Sequence, residues 1–218
     1  MLALLPRLPA DRPLRVLCLG AHSDDIEIGC GATMLMLVAR YKPVEVNWIV
    51  FSGAGARRTE ALQSARYFRR GAAGGQVVVH DFRDGFFPSV KTALKEAFED
   101  LKGVHDPDLI LTHHRNDLHQ DHQVISELTR NTWRNHLILE YEIPKYDGDL
   151  GQPNCFVPVT RAQATRKIQG LLKSFPSQAG KQWFDSETFW ALLRLRGLEC
   201  NSETRYAEAF HVRKQVIG

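Results

Sequence analysis

The sequence has few cysteines and none in a spacing that would bind a structural metal. Its 218 residues include four, Cys18, Cys30, Cys155 and Cys200, with no C-x-x-C pair. In a chain of this size they read as reduced thiols of a cytoplasmic protein rather than a disulfide framework. Long apolar runs are missing too. The stretch 44–51 is interrupted by Glu45 and Asn47, far short of the ~20 residues that cross a bilayer. The opening residues 1–6, Met-Leu-Ala-Leu-Leu-Pro, are too few for a signal peptide, and no charged segment precedes them. An excess of one charge is also absent. The 28 basic and 25 acidic residues leave a net +3, which excludes a dedicated nucleic-acid binder. No internal repeat or low-complexity segment is present.

What remains is an average globular composition, 44% hydrophobic and 24% charged, in a length that favours a single domain over 1–218. Short β-type runs over 14–20, 44–51, 76–80, 109–112 and 137–141 alternate with helical periodicity over 28–40, 57–70, 90–101 and 120–135. That alternation predicts an α/β, Rossmann-like fold: a mostly parallel sheet flanked by helices, with strands in the order 3-2-1-4-5. After Pro144 the character changes. A turn-rich stretch leads into helical segments over 160–174 and 186–196 and a strand-like run over 206–212. We read 14–143 as the α/β core and 144–218 as a C-terminal extension packed on the same domain.

A dinucleotide-binding fold would place G-x-G-x-x-G directly after strand 1. This chain has Gly20-Ala-His-Ser-Asp-Asp-Ile-Glu-Ile-Gly29 instead, and no G-K-[ST] follows. The place of the glycines is taken by His22, Asp24, Asp25 and Glu27. A second polar set follows strand 4, Thr112-His-His-Arg-Asn-Asp-Leu-His-Gln-Asp-His122, which holds four of the nine histidines. In the expected sheet, strands 1 and 4 are neighbours at the switch point, where ligands bind outside the carboxyl ends. The two sets therefore face each other. His22 and Asp25, three apart at a helix start, point the same way, and His122 adds a third donor. Two histidines and one carboxylate leave an open position on a divalent ion, the pattern of a hydrolytic zinc site. Asp24 is free to accept a proton from bound water. His119 is placed to meet an oxyanion or a leaving amine, and Asp121 to hold a histidine's second nitrogen.

Ala-His-Ser-Asp-Asp-Ile-Glu at 21–27 and His-Gln-Asp-His at 119–122 resemble the paired motifs of the PIG-L (LmbE-like) zinc N-deacetylases. Arg57-Arg-Thr-Glu60, Asp84-Gly85 and Tyr206-Ala-Glu-Ala-Phe210 are similar to further family features, so the likeness covers most of the chain. The resemblance implies removal of acetyl from an N-acetylglucosaminyl-type group by metal-activated water. It assigns His22, Asp25 and His122 as zinc ligands, Asp24 as general base, and His119 as acid or oxyanion partner. Asp121 becomes the carboxylate orienting His119, and Arg57 and Asp84 become substrate contacts. Ser23 stands where the family usually has proline. The stretch Ser174-Phe-Pro-Ser-Gln178 matches the family's H-x-S-Q only in its Ser-Gln, Phe175 taking the histidine's place.

Fe2+ and Co2+ fit the same ligands as Zn2+, so a non-haem iron oxygenase is one alternative function. It lacks a use for Asp24 and His119, and the oxygenases compared are mostly all-β. A sugar- or metal-binding module without turnover is another. The expected partner is a small N-acetylated glycoside or glycoconjugate, without nucleic acid or membrane span; assembly into a homo-oligomer is left open.

Overall fold

Strands covered on both faces need apolar residues at nearly every position, and the two longest have them. β1 (Leu14–His22) and β2 (Val44–Ser52) are buried almost throughout. The structure, a computed structural model, describes residues 12–216; the apolar opening at 1–6 lies outside them. With β3 (Val77–Val79), β4 (Leu109–His113) and β5 (Leu137–Tyr141), these strands form the expected parallel sequence 3-2-1-4-5. Two strands of the extension, β6 (Cys155–Val159) and β7 (Tyr206–Val212), continue the same sheet antiparallel, giving the order β3-β2-β1-β4-β5-β7-β6. The fold is therefore α/β, with the extension part of the same domain.

Period-two alternation divides the core between the two faces. Val16 and Cys18 join a cluster under α1 (Asp25–Arg40), α2 (Ala56–Phe68), α5 (Arg161–Ser174) and α6 (Ser186–Glu199). Leu17 and Leu19 face α3 (Lys91–Val104) and α4 (Gln120–Thr132) on the other side. Trp183, Phe184 and Trp190 pack in or against the first cluster. Among the described residues no helix is long and apolar enough to cross a membrane.

Several boundaries differ from the sequence reading. β1 runs on to His22 and α1 begins at Asp25 rather than 28. β6 was not anticipated because Pro158 interrupts its pattern; the strand sits at the sheet edge, where a residue without an N–H is tolerated. α1 is also broken at Cys30, whose φ of −144° and ψ of 19° are not helical. The extension mends the break. Glu208 of β7 accepts the Ala32 and Thr33 N–H groups at 3.0 and 2.6 Å, and Lys167 of α5 donates to the Ile28 carbonyl at 2.6 Å. Gly29 lies where a Cβ would come within 2.2 Å of the Tyr141 ring, so its smallness serves packing of α1 on β5.

Candidate metal centre

The parallel register of β1 with β2 and β4 aligns their carboxyl ends. His22, the last residue of β1, is thereby set beside the start of α4. Asp24 occupies the N-cap position of α1 but makes no capping hydrogen bond, so its carboxylate is free for other work. Asp25 begins the helix and accepts the His22 backbone N–H at 2.6 Å through Oδ2. Ser23 replaces the rigidity of proline with a hydrogen bond from its hydroxyl to the Ser52 carbonyl at 3.3 Å.

The three expected ligands form a triangle. His22 Nδ1 lies 3.2 Å from His122 Nε2 and 3.4 Å from Asp25 Oδ2, and His122 Nε2 lies 3.5 Å from Asp25 Oδ1. Tetrahedral arms of about 2.0–2.1 Å imply ligand-to-ligand edges of about 3.3–3.4 Å. The two contacts of Asp25 use different oxygens, Oδ2 toward His22 and Oδ1 toward His122, so the cluster offers donor atoms at the spacing of a divalent-cation site. Overlapping sets share the same place: His22, His119 and His122; Asp25, His113 and His122; and His22, Asp84 and Asp121 each bring donor atoms within 4.8 Å of one another.

The second nitrogens of both histidines are held by carboxylates, as metal-binding imidazoles require. His122 Nδ1 meets Asp117 Oδ2 at 2.9 Å. His22 Nε2 meets Asp121 Oδ2 at 3.2 Å and the mostly exposed Asp84 at 3.1 Å. Asp121 is itself fixed by N–H groups of Gly85 and Phe87, at 2.6 and 3.1 Å, from the loop after β3. The expected pairing of the Asp121 carboxylate with His119 gives way to this arrangement. His119 is instead tied by its Nδ1, which accepts the Asp121 backbone N–H at 3.2 Å as the cap of α4. A neutral His119 then carries its proton on Nε2.

Arg57 donates to Asp24 Oδ1 at 2.7 Å and to the Ser177 hydroxyl at 3.3 Å. Both terminal nitrogens thus have protein partners already. Glu60 accepts the Ser177 N–H and hydroxyl at 2.9 and 2.7 Å, so the Ser-Gln turn of the extension is docked against α2. Phe175 is fully buried, with the Arg57 guanidinium 5.8 Å from its ring centre. The other Asp24 oxygen, Oδ2, is buried without a hydrogen-bond partner among the described residues.

Charge follows from these contacts. Burial lifts the Asp24 pKa above its ordinary value despite Arg57. Burial also opposes ionisation of Asp25, yet His122, His113 and His22 hold its pKa well below the usual range. Asp117 behaves likewise, with His122, His113 and Lys145 outweighing burial. Burial and then His113 depress His122 to about 4, and burial and then His22 lower His119. Burial pulls His22 down as well, but Asp25, Asp121 and Asp84 raise it well above the histidine norm. The negative charge gathered around His22 is of the sign a bound cation balances.

The eight residues singled out in the sequence are thus in one place, but two contributors were missed. Asp117 was discoverable from its place two residues before His119, in Asp-Leu-His-Gln-Asp-His, given that each histidine expected as a ligand needs its own carboxylate. His113, fully buried, stacks on His122 with ring centres 3.9 Å apart and lies 3.2 Å from Asp25. Nothing in the sequence separated it from His114, which turns away to Glu140 at 3.2 Å.

The family model for PIG-L, described as GlcNAc-PI de-N-acetylase, matches residues 17–133. No curated protein sequence matches the chain. Solved structures share the fold at low identity. A conserved protein from Thermus thermophilus is 19% identical over 94% of this chain and 97% of its own, with a TM-score of 0.71. The N,N'-diacetylchitobiose deacetylase of Pyrococcus horikoshii is 20% identical over 92% and 84%, with a TM-score of 0.66. GalB, the 4-carboxy-2-hydroxymuconate hydratase of Pseudomonas putida KT2440, is 16% identical over 94% and 98%, with a TM-score of 0.73. The chain belongs to the PIG-L family.

Proposed function

We propose that this PIG-L family chain is a zinc-dependent hydrolase that removes the acetyl group from an N-acetylated amino sugar of the N-acetylglucosaminyl type. The observation that carries the reading is the cluster of His22, Asp25 and His122, whose donor atoms approach pairwise to 3.2–3.5 Å, beside a buried Asp24 oxygen that has no partner among the described residues. Fe2+ or Co2+ suits the same donors. The four free cysteines agree with a reducing, cytoplasmic setting.

His22, Asp25 and His122 would hold the metal. When bound there, zinc supplies a water of pKa about 7 and a Lewis acid for the acetyl carbonyl. Asp24 takes the water proton at Oδ2, while Arg57 pins Oδ1 and so fixes the direction of the free oxygen. His119 presents Nε2–H to the carbonyl oxygen as negative charge develops. A C–O bond forms from water, the C–N bond breaks, and the proton held by Asp24 passes to the leaving amine, giving acetate and a free amino sugar. Asp117 and Asp121 keep the two imidazoles in register throughout. Asp84, largely exposed beside His22, and Arg57, bonded to Asp24, would contact the sugar.

The test is release of free amine and acetate from N-acetylglucosaminyl substrates, with and without chelator. Chelator-sensitive release that Asp24→Ala abolishes while metal stays bound supports the reading. Full turnover by Asp24→Ala with metal bound would refute the mechanism. Metal binding without amine release from any N-acetylated glycoside would favour a binding module, and oxygen consumption with Fe2+ an oxygenase.

A further inference from the structure

Beside the C-terminal end of α4 the protein has a pocket of ≈ 430 Å³, none of whose lining residues belongs to the donor cluster described above. α4 packs on β1 and β4, and the pocket opens next to it over Ile138 and Glu140 of β5. Its walls carry cations from three separate segments: Arg115 after β4, Arg130 and Arg134 at the end of α4, and Arg213 and Lys214 after β7. The one acid in the lining, Glu140, is already committed. It is buried, accepts the Arg115 N–H and Nε–H at 3.1 and 3.0 Å, takes the Arg115 terminal nitrogen on its other oxygen, and meets His114 at 3.2 Å. Those bonds hold its pKa at about 2 against burial.

Glu140 thus balances Arg115 and leaves four cations. None of the four pairs with a carboxylate among the described residues. Arg130 spends only Nε on protein, bonding the Ser126 carbonyl at 3.3 Å, and Lys214 donates to the Arg134 carbonyl. Solvated helix ends commonly carry one or two cations, which favour the carboxyl end of the helix dipole. Here, though, the chain returns after β7 to add Arg213 and Lys214 to a concave surface already positive, so like charges are brought together at a cost in repulsion. Burial, Arg115 and Arg213 all act against the charge on Arg130. Trp133 in the lining is buried, and its indole Nε1–H has no partner among the described residues.

We infer that this pocket binds the phosphate group of a soluble small molecule. Guanidinium groups match phosphate oxygens in pairs, and the volume lies within the ~300–1,000 Å³ of small-molecule sites. The inference needs nothing from the metal chemistry and survives its failure. It is tested on the full metal-loaded chain by isothermal titration with inorganic phosphate at constant ionic strength, repeated after chelation to discount phosphate bound at the metal. The expected result is one saturable site that persists after chelation and weakens about tenfold or more in Arg130→Gln/Arg213→Gln. The single variant Arg213→Gln, at an exposed position, should weaken it in the same direction with no change in melting temperature. Amine release in the absence of phosphate should be unaffected by either. No saturable binding, binding unchanged in the double variant, or sedimentation with phosphatidylinositol-phosphate vesicles without affinity for free phosphate overturns the inference.

Discussion

Replacing Glu208 with alanine should be among the most damaging single changes in this protein, although Glu208 touches none of the proposed ligands. Its carboxylate closes the break in α1 by accepting two buried N–H groups and sits 2.5 Å from the Lys167 ammonium. Both residues are 3% exposed. Glu208→Ala leaves the Ala32 and Thr33 donors without partners, at about 1–3 kcal/mol each. It also leaves the Lys167 ammonium buried without a counter-charge, with only the Ile28 carbonyl as partner; breaking a buried ion pair typically costs about 3–5 kcal/mol. These losses overlap because water or relaxation relieves part of each, and about 4 kcal/mol is a reasonable total. Against a usual stability of about 5–15 kcal/mol that is a large fraction. With a urea slope near ~3 kcal/mol per molar, the unfolding midpoint should fall by about 1–2 M. Lys167→Met/Glu208→Gln removes both charges and keeps one acceptor, so it should recover much of the loss. Asp24 and Asp25 lie in the first turn of the same helix, ahead of the break, so metal affinity should fall with stability in Glu208→Ala. A midpoint shift under about 0.5 M on the same slope, or a double variant no more stable than Glu208→Ala, would refute this account of the kink.

The remaining predictions concern the centre and its surroundings. Asp24→Asn should lower kcat by about 10²–10⁴ with metal content unchanged by elemental analysis. Asp117→Asn should weaken metal binding about 10–100-fold in a chelator competition, because His122 loses the carboxylate on Nδ1. Arg57→Ala should reduce kcat more than it raises KM, since the guanidinium is bonded to Asp24; a pure KM effect would make it a substrate contact instead. His211, stacked 3.6 Å from His114, has its pKa lowered to about 4 by burial and then by His114. The unfolded chain therefore binds this proton first. The neutral form's contribution to stability is complete above about pH 6.5 and is lost as pH falls toward 4. His211→Gln should flatten the melting temperature against pH in that window.

Much of this was legible because it is local. Apolar alternation identified β1, β2, β4 and β5 with small boundary errors, and the strand–helix rhythm then limited the topology to the order found. The edge strand β6 was lost to Pro158, whose cost depends on having a free edge, a property of the sheet and not of the segment. The break in α1 was hidden because its repair comes from Lys167 and Glu208, more than a hundred residues away. The Tyr-Ala-Glu-Ala-Phe motif resembled the family, but why a carboxylate stands in it became visible only with β7 laid beside α1.

The same division runs through the centre. Residue type and spacing by themselves pointed to the eight side chains that the fold brings together, because ligand chemistry belongs to the side chain and the strand ends follow from the sheet. Which carboxylate serves which imidazole was decided by tertiary structure alone. Asp117 and Asp121 are both within five residues of His122, yet one bonds His122 and the other crosses to His22, held there by the Gly85 and Phe87 amides. Hydrogen bonds are short-ranged and directional, so a few ångströms of loop placement settle such pairings, and no pattern along the chain encodes them.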